Sequence, residues 1–97
     1  MDKLSTVDRD TKLKKFLENG WQLDETRDAI TKEFQFKNFI EAFSWMTKIA
    51  FWAEKINHHP EWFNVYRNVT VVLTTHDVSG LSSLDLELAS KMDSETA

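Results

Sequence analysis

The residues of this chain best suited to chemistry are its three histidines, His58, His59 and His76. Histidine has an unperturbed pKa of about 6.5, so it gains or loses a proton near neutrality. Two of the three are adjacent, in the stretch Glu54-Lys55-Ile56-Asn57-His58-His59-Pro60-Glu61-Trp62, which also holds the only proline. Glu54 and His58 are four residues apart, a spacing that lets them meet on one helix face. There the carboxylate would orient the imidazole and favour its protonated form. The third histidine is flanked by Thr74, Thr75 and Asp77, which supply hydroxyl and carboxylate groups. A metal centre is disfavoured: cysteine is absent and the helical H-x-x-x-H spacing is missing. Adjacent histidines on a helix would point about 100° apart. No serine elbow and no glycine-rich phosphate loop is present either. What remains is proton transfer by neutral or cationic imidazole, with no resident cofactor called for. A single histidine is more often a hydrogen-bonded structural residue, so this reading depends on all three converging.

The flanking elements decide whether they converge. Residues 5–19 read as a helix capped by Ser5 or Thr6, with Asp8 and Asp10 in its first turn and Leu13, Phe16 and Leu17 on one face. Asn19-Gly20 stops it. Strands follow over 21–23 and 29–36, forming a hairpin whose inward face, Ile30, Phe34 and Phe36, is interrupted by Lys32. Asn38 caps a long helix with Glu41 at the third position, and Pro60 ends it by residue 59. One apolar stripe of this helix holds Phe39, Ala42, Phe43, Met46, Ala50 and Ala53; beside it runs Trp45, Ile49, Trp52 and Ile56. Ile40 and Phe51 add a third side. So wide an apolar surface predicts packing on the sheet and on another subunit, with Phe43, Trp45, Ile49 and Trp52 as interface residues.

Strands over 63–66 and 69–76 pair around Arg67-Asn68. That register sets Tyr66 opposite Val69, Phe63 opposite Val72 and Trp62 opposite Leu73. Extended, it sets His59 opposite His76 and brings all three histidines to one sheet end. Ser82 with Asp85 reads as the capping box of a last helix, Leu81 and Leu86 as its staple, and Leu84, Leu88 and Met92 as its apolar face. Residues 93–97 read as a frayed tail. The order α-β-β-α-β-β-α describes an α+β fold: a four-stranded antiparallel sheet with helices packed on one face, in a single domain over 1–97.

Composition narrows the partners. The net charge of −4 argues against direct nucleic-acid binding. No apolar run reaches the roughly 18 residues that span a bilayer, and the N-terminus lacks a signal peptide's apolar core. The expectation is a soluble, intracellular protein with no membrane partner, in which Asn68-Val69-Thr70 is an accidental glycosylation tripeptide.

The run from Glu54 to Tyr66, with Thr74-Thr75-His76-Asp77, Gly80-Leu81-Ser82 and Asp85, resembles pterin-4a-carbinolamine dehydratase, a family also known as the dimerisation cofactor of a homeodomain transcription factor. Gly20-Trp21, Arg27-Asp28-Ala29-Ile30 and Phe34-x-Phe36-Lys37-Asn38-Phe39 fit as well, so the resemblance covers nearly the whole chain. It implies an α+β fold, and a dimer joined through its sheets that pairs through the long helices into a homotetramer. It implies dehydration of 4a-hydroxytetrahydrobiopterin to quinonoid dihydrobiopterin and water, a step in tetrahydrobiopterin recycling. By position, His58, His59 and His76 are the catalytic trio, and Glu54, Asn57, Pro60, Thr74, Thr75, Asp77 and Asp85 join them in binding substrate. His59 and His76 are expected to divide the acid and base roles, with His58 orienting the pterin and Glu54 tuning His58. The alternative is a transcriptional coactivator that stabilises a homeodomain transcription factor dimer through the long helix, which needs only the apolar stripe. The location implied is cytoplasmic, and nuclear as well where the coactivator role operates.

Overall fold

The computed structural model describes residues 1–96. The N-terminal helix starts where the Ser5 hydroxyl accepts from the Asp8 amide at 3.1 Å. It runs as α1 (Thr6–Asp8), a π-helical turn (Arg9–Leu13) and α2 (Lys14–Glu18), burying Leu13 with Phe16 and Leu17 beside it. Gly20, at φ +98°, turns the chain into the sheet. Strands β1 (Gln22–Asp24) and β2 (Ala29–Gln35) form the first hairpin; α3 (Phe39–Ile56), β3 (Glu61–Val65), β4 (Asn68–Leu73), a 3-10 turn (His76–Val78) and α4 (Ser83–Ser94) complete the chain. The sheet is antiparallel with order β1-β2-β4-β3. Ile30 and Phe34 lie on its covered face against α3 and α4, as the period-two pattern predicted, and Val69, Val71 and Leu73 of β4 join them there. Thr31, Glu33, Thr70, Phe63 and Val65 stay on the other side, none of them buried.

Lys32 interrupts the apolar face without leaving it. Its ammonium donates to Asp93 at 2.8 Å and to the Asn19 carbonyl at 2.9 Å, and it sits over the rings of Trp21 and Phe34. Trp21 Nε1 donates to the same Asp93 carboxylate at 3.0 Å. The expected frayed tail is therefore corrected over its first part: α4 continues to Ser94, and Glu95 accepts from Trp52 Nε1. Ala97 lies outside the described residues.

Asn38 caps α3 as its sequence predicts, its side-chain oxygen accepting from the Glu41 amide at 2.9 Å. The helix buries Ala42, Trp45, Ile49 and Ala53. Two of the four expected interface residues are thereby corrected. Trp45 and Ile49 belong to the chain's own core, and Trp45 Nε1 donates to the Met92 carbonyl at 3.1 Å. Trp52 is half-buried beneath the ammonium groups of Lys55 and Lys91. Phe43 stays outside, with Phe39, Ile40 and Phe51.

Left-handed residues set the end of the long helix and the turn of the second hairpin, and only the hairpin differs from expectation. The long helix stops at Ile56, ahead of Pro60, because Asn57 adopts the left-handed conformation (φ 54°, ψ 46°) and its amide returns to the Ala53 and Glu54 carbonyls. The second hairpin turns at Tyr66-Arg67, with Tyr66 at φ +54°. Its pairs are Trp62–Val71, Phe63–Thr70 and Val65–Asn68, a slide of two residues from the expected register, which, being even, leaves the same residues sharing each face. Asn64 Nδ2 holds the turn by donating to the Tyr66 and Asn68 carbonyls.

Candidate active site

The left-handed Asn57 sends the two adjacent histidines into different surroundings. His58 is buried, and its Nε2 lies 2.6 Å from Asp85 Oδ1. His59 points outward, its Nε2 2.5 Å from Glu54 Oε2. The expected Glu54–His58 contact is therefore corrected: helical spacing does not extend past Asn57, so Glu54 pairs with His59 and Asp85 pairs with His58.

His76 arrives from the far side on a tight loop. Thr75 and Gly80 close it with two backbone hydrogen bonds, Thr75 N–H to Gly80 O at 2.8 Å and Gly80 N–H to Thr75 O at 3.3 Å. Left-handed Ser79 turns the chain between them. Asp28 anchors this loop. Its carboxylate takes a bidentate pair from Arg9 at 2.7 Å and accepts from the Leu81 amide at 3.0 Å, while its carbonyl accepts from the Thr74 hydroxyl. Gly80 passes so close that an added Cβ would sit 2.3 Å from Asp28 Oδ2. The Arg9 hydrogen bonds hold the Asp28 carboxyl below the usual carboxylate range, against the opposing pull of burial.

Between the two segments lies a cleft of about 530 Å³, lined by Asn57, His58, His59, Thr74, Thr75, His76 and Asp77, with Ile56, Leu84 and Met1 as apolar walls. This volume suits a small planar ligand. The three imidazoles line this cleft although pairing of β3 with β4 stops at Glu61 and Val72, so the convergence comes from the loops beyond the hairpin. Behind the cleft, Asp85 has no solvent exposure: Oδ2 accepts from the Thr75 hydroxyl (2.7 Å) and the Ser82 amide (2.9 Å). Asp85 thus supports His58 from beneath rather than lining the cleft, and the hydroxyls of Thr75 and Thr74 are turned toward Asp85 and the Asp28 carbonyl. Glu54 stands behind His59, and Pro60 lies outside the cleft wall. At the outer edge, Glu61 Oε2 is 3.6 Å from His76 Nε2. Bidentate hydrogen bonds from Arg27, at 3.0 and 2.7 Å, hold the Glu61 carboxyl below its ordinary value.

Residues 2–95 match the family model described as pterin 4 alpha carbinolamine dehydratase. The chain belongs to this family. Among carbinolamine dehydratase relatives, a protein of Roseobacter denitrificans, provisionally named pterin-4-alpha-carbinolamine dehydratase, is 61% identical over 93 residues, covering 96% of this chain and 95% of its own. The Drosophila melanogaster pterin-4-alpha-carbinolamine dehydratase is 54% identical over 91 residues, 94% of this chain and 47% of that longer protein. A crystal structure of a transcriptional coactivator/pterin dehydratase from Brucella melitensis superposes with a TM-score of 0.85 at 40% identity, covering 98% and 99% of the two chains. The α+β fold is thus the carbinolamine dehydratase fold. Sequence reasoning missed Ile56 and Leu84, whose helix faces read only as core, and Arg27 with Glu61, whose opposite charges meet only once β1 and β3 are placed in one sheet.

Proposed function

We propose that this protein dehydrates a 4a-hydroxytetrahydropterin, such as 4a-hydroxytetrahydrobiopterin, to the quinonoid dihydropterin and water. The observation that carries the reading is the single cleft onto which His58, His59 and His76 open from two separate segments. In the reaction a proton reaches the C4a hydroxyl, the C4a–O bond breaks, and the ring nitrogen N5 gives up its proton as its electron pair completes a C4a=N5 bond. The reaction is redox-neutral and needs only a proton donor and a proton acceptor near the ring. His59 and His76, the two exposed imidazoles, divide those roles. His58, fixed by buried Asp85, orients the pterin, and Glu54 fixes His59. Ile56 and Leu84 offer apolar surface to the ring faces. General acid and base groups are each worth about 10²–10⁴ in rate. His59→Ala and His76→Ala are therefore each expected to lower kcat about a hundredfold or more with synthetic carbinolamine. Near-normal turnover in both variants would overturn the assignment. The product is then reduced to regenerate the tetrahydropterin.

A second reading rests on a different surface. Phe39, Ile40, Phe43 and Phe51 leave the outer side of α3 apolar and exposed. The name of the Brucella protein pairs coactivator with dehydratase. We infer self-association of this chain through that helix into a dimer of dimers. The same helix face would stabilise a homeodomain transcription factor dimer, in the cytoplasm or the nucleus, without using the histidines.

A further inference from the structure

Each imidazole in the cleft has one carboxylate partner: Asp85 for His58, Glu54 for His59 and Glu61 for His76. The third pair is built differently. His76 rides on a short 3-10 turn with its side chain 81% exposed, and among the described residues no hydrogen bond fixes its ring. Its carboxylate partner, by contrast, is held at both oxygens by Arg27. Arg27 itself sits in the β1–β2 turn, where Asp24 Oδ1 accepts from the Thr26 and Arg27 amides. Asp24, the turn, Arg27 and Glu61 therefore form a chain of contacts across the sheet end that delivers a fixed carboxylate to the most loosely held histidine.

We propose that Glu61, braced by Arg27, is a positioning residue for His76. At 3.6 Å the contact is longer than a hydrogen bond, as such contacts often are before substrate closes the site. His76 Nε2–H faces Glu61 in the free protein and closes to a hydrogen bond when substrate binds, which holds one tautomer throughout and leaves Nδ1 as the nitrogen that exchanges a proton with the pterin. The carboxylate stays ionised and steadies the imidazolium while His76 carries the extra proton, the role a third group plays behind a catalytic base. Arg27 keeps Glu61 from swinging into solvent or onto the substrate.

This inference rests on the dehydratase reading, and two measurements separate them. In steady-state dehydration of the carbinolamine, Glu61→Gln is expected to lower kcat about tenfold, with KM changed less than twofold. Arg27→Ala should lower kcat by a smaller factor, and Arg27→Lys should recover part of that loss. In a His76→Ala background, Glu61→Gln should have no further effect, whereas a merely structural role would subtract equally in both backgrounds. Long-range ¹H–¹⁵N spectra of the imidazoles read the tautomer directly. Wild-type His76 is expected to carry its proton on Nε2, and Glu61→Gln to give a mixture. Wild-type kcat in Glu61→Gln, or an undiminished effect without His76, overturns the inference while leaving the dehydratase reading intact. If wild type does not turn over the carbinolamine, the dehydratase reading falls and the spectra decide alone: tautomer populations unchanged by Glu61→Gln overturn the positioning role.

Discussion

At Asp85 three donors from three parts of the chain converge on one carboxyl group: the His58 ring, the Thr75 hydroxyl and the Ser82 amide. Removing it leaves those donors buried and unpaired, and breaking a buried pair in this way costs several times more than deleting a surface contact. Asp85→Ala is expected to lower the free energy of unfolding by about 3 kcal/mol, read from the urea midpoint. Asp85→Asn keeps the volume but replaces one accepting oxygen with a donor, so it should fall between the two. Half of this residue's work was legible. Ser82 and Asp85 at capping-box spacing announce a helix start, because that contact lies within four residues. The bond to His58, 27 residues away, has no local signature.

Elements fix the cleft through their ends rather than their lengths. The turn before β2 holds Asp28, which ties the N-terminal helix, the end of β4 and the loop into α4 to one point. Arginine hydrogen bonds hold both Asp28 and Glu61 low. A carboxyl whose folded pKa lies below its unfolded value contributes stability above the unfolded value, about 4, and loses it as pH falls through the folded one. The urea midpoint of the wild type should therefore drop below about pH 4. Asp28→Asn should lie lower at neutral pH and fall less steeply in acid, as denaturation at a series of pH values would show. Caps and periodicity made the order of elements readable, since Asn38, Ser82 and the alternation through Ile30 and Phe34 act locally. The hairpin register was not readable. It depends on left-handed Tyr66, a residue type that carries no turn signal, where Arg67-Asn68 looked the better loop. The move of Glu54 from His58 to His59 has a similar origin, in one left-handed asparagine.

For the molecule as a whole, the aromatic residues run from buried through half-buried to open. Trp21, Phe34 and Trp45 stack within the core, while Phe39, Phe43 and Phe51 lie open on α3 and Phe63 and Tyr66 lie open on β3 and its turn. Composition gives the total but not the division, which is why Trp45 and Ile49 looked available to a partner. Contiguous apolar surface on so small a protein marks a contact site. Sedimentation velocity should find wild type as an oligomer and Phe43→Asp as a smaller species, with kcat changed less than about twofold. A single species of the same mass in both would remove the helix face as the contact. The three carboxylates behind the imidazoles come from α3, β3 and α4, and the arginine that braces one of them comes from the first hairpin. The candidate site thus draws on the first hairpin, α3, β3, the loop after β4 and α4. Loosening α3, β3, α4 or the first hairpin would therefore release a tether of the histidine cleft along with a piece of the scaffold.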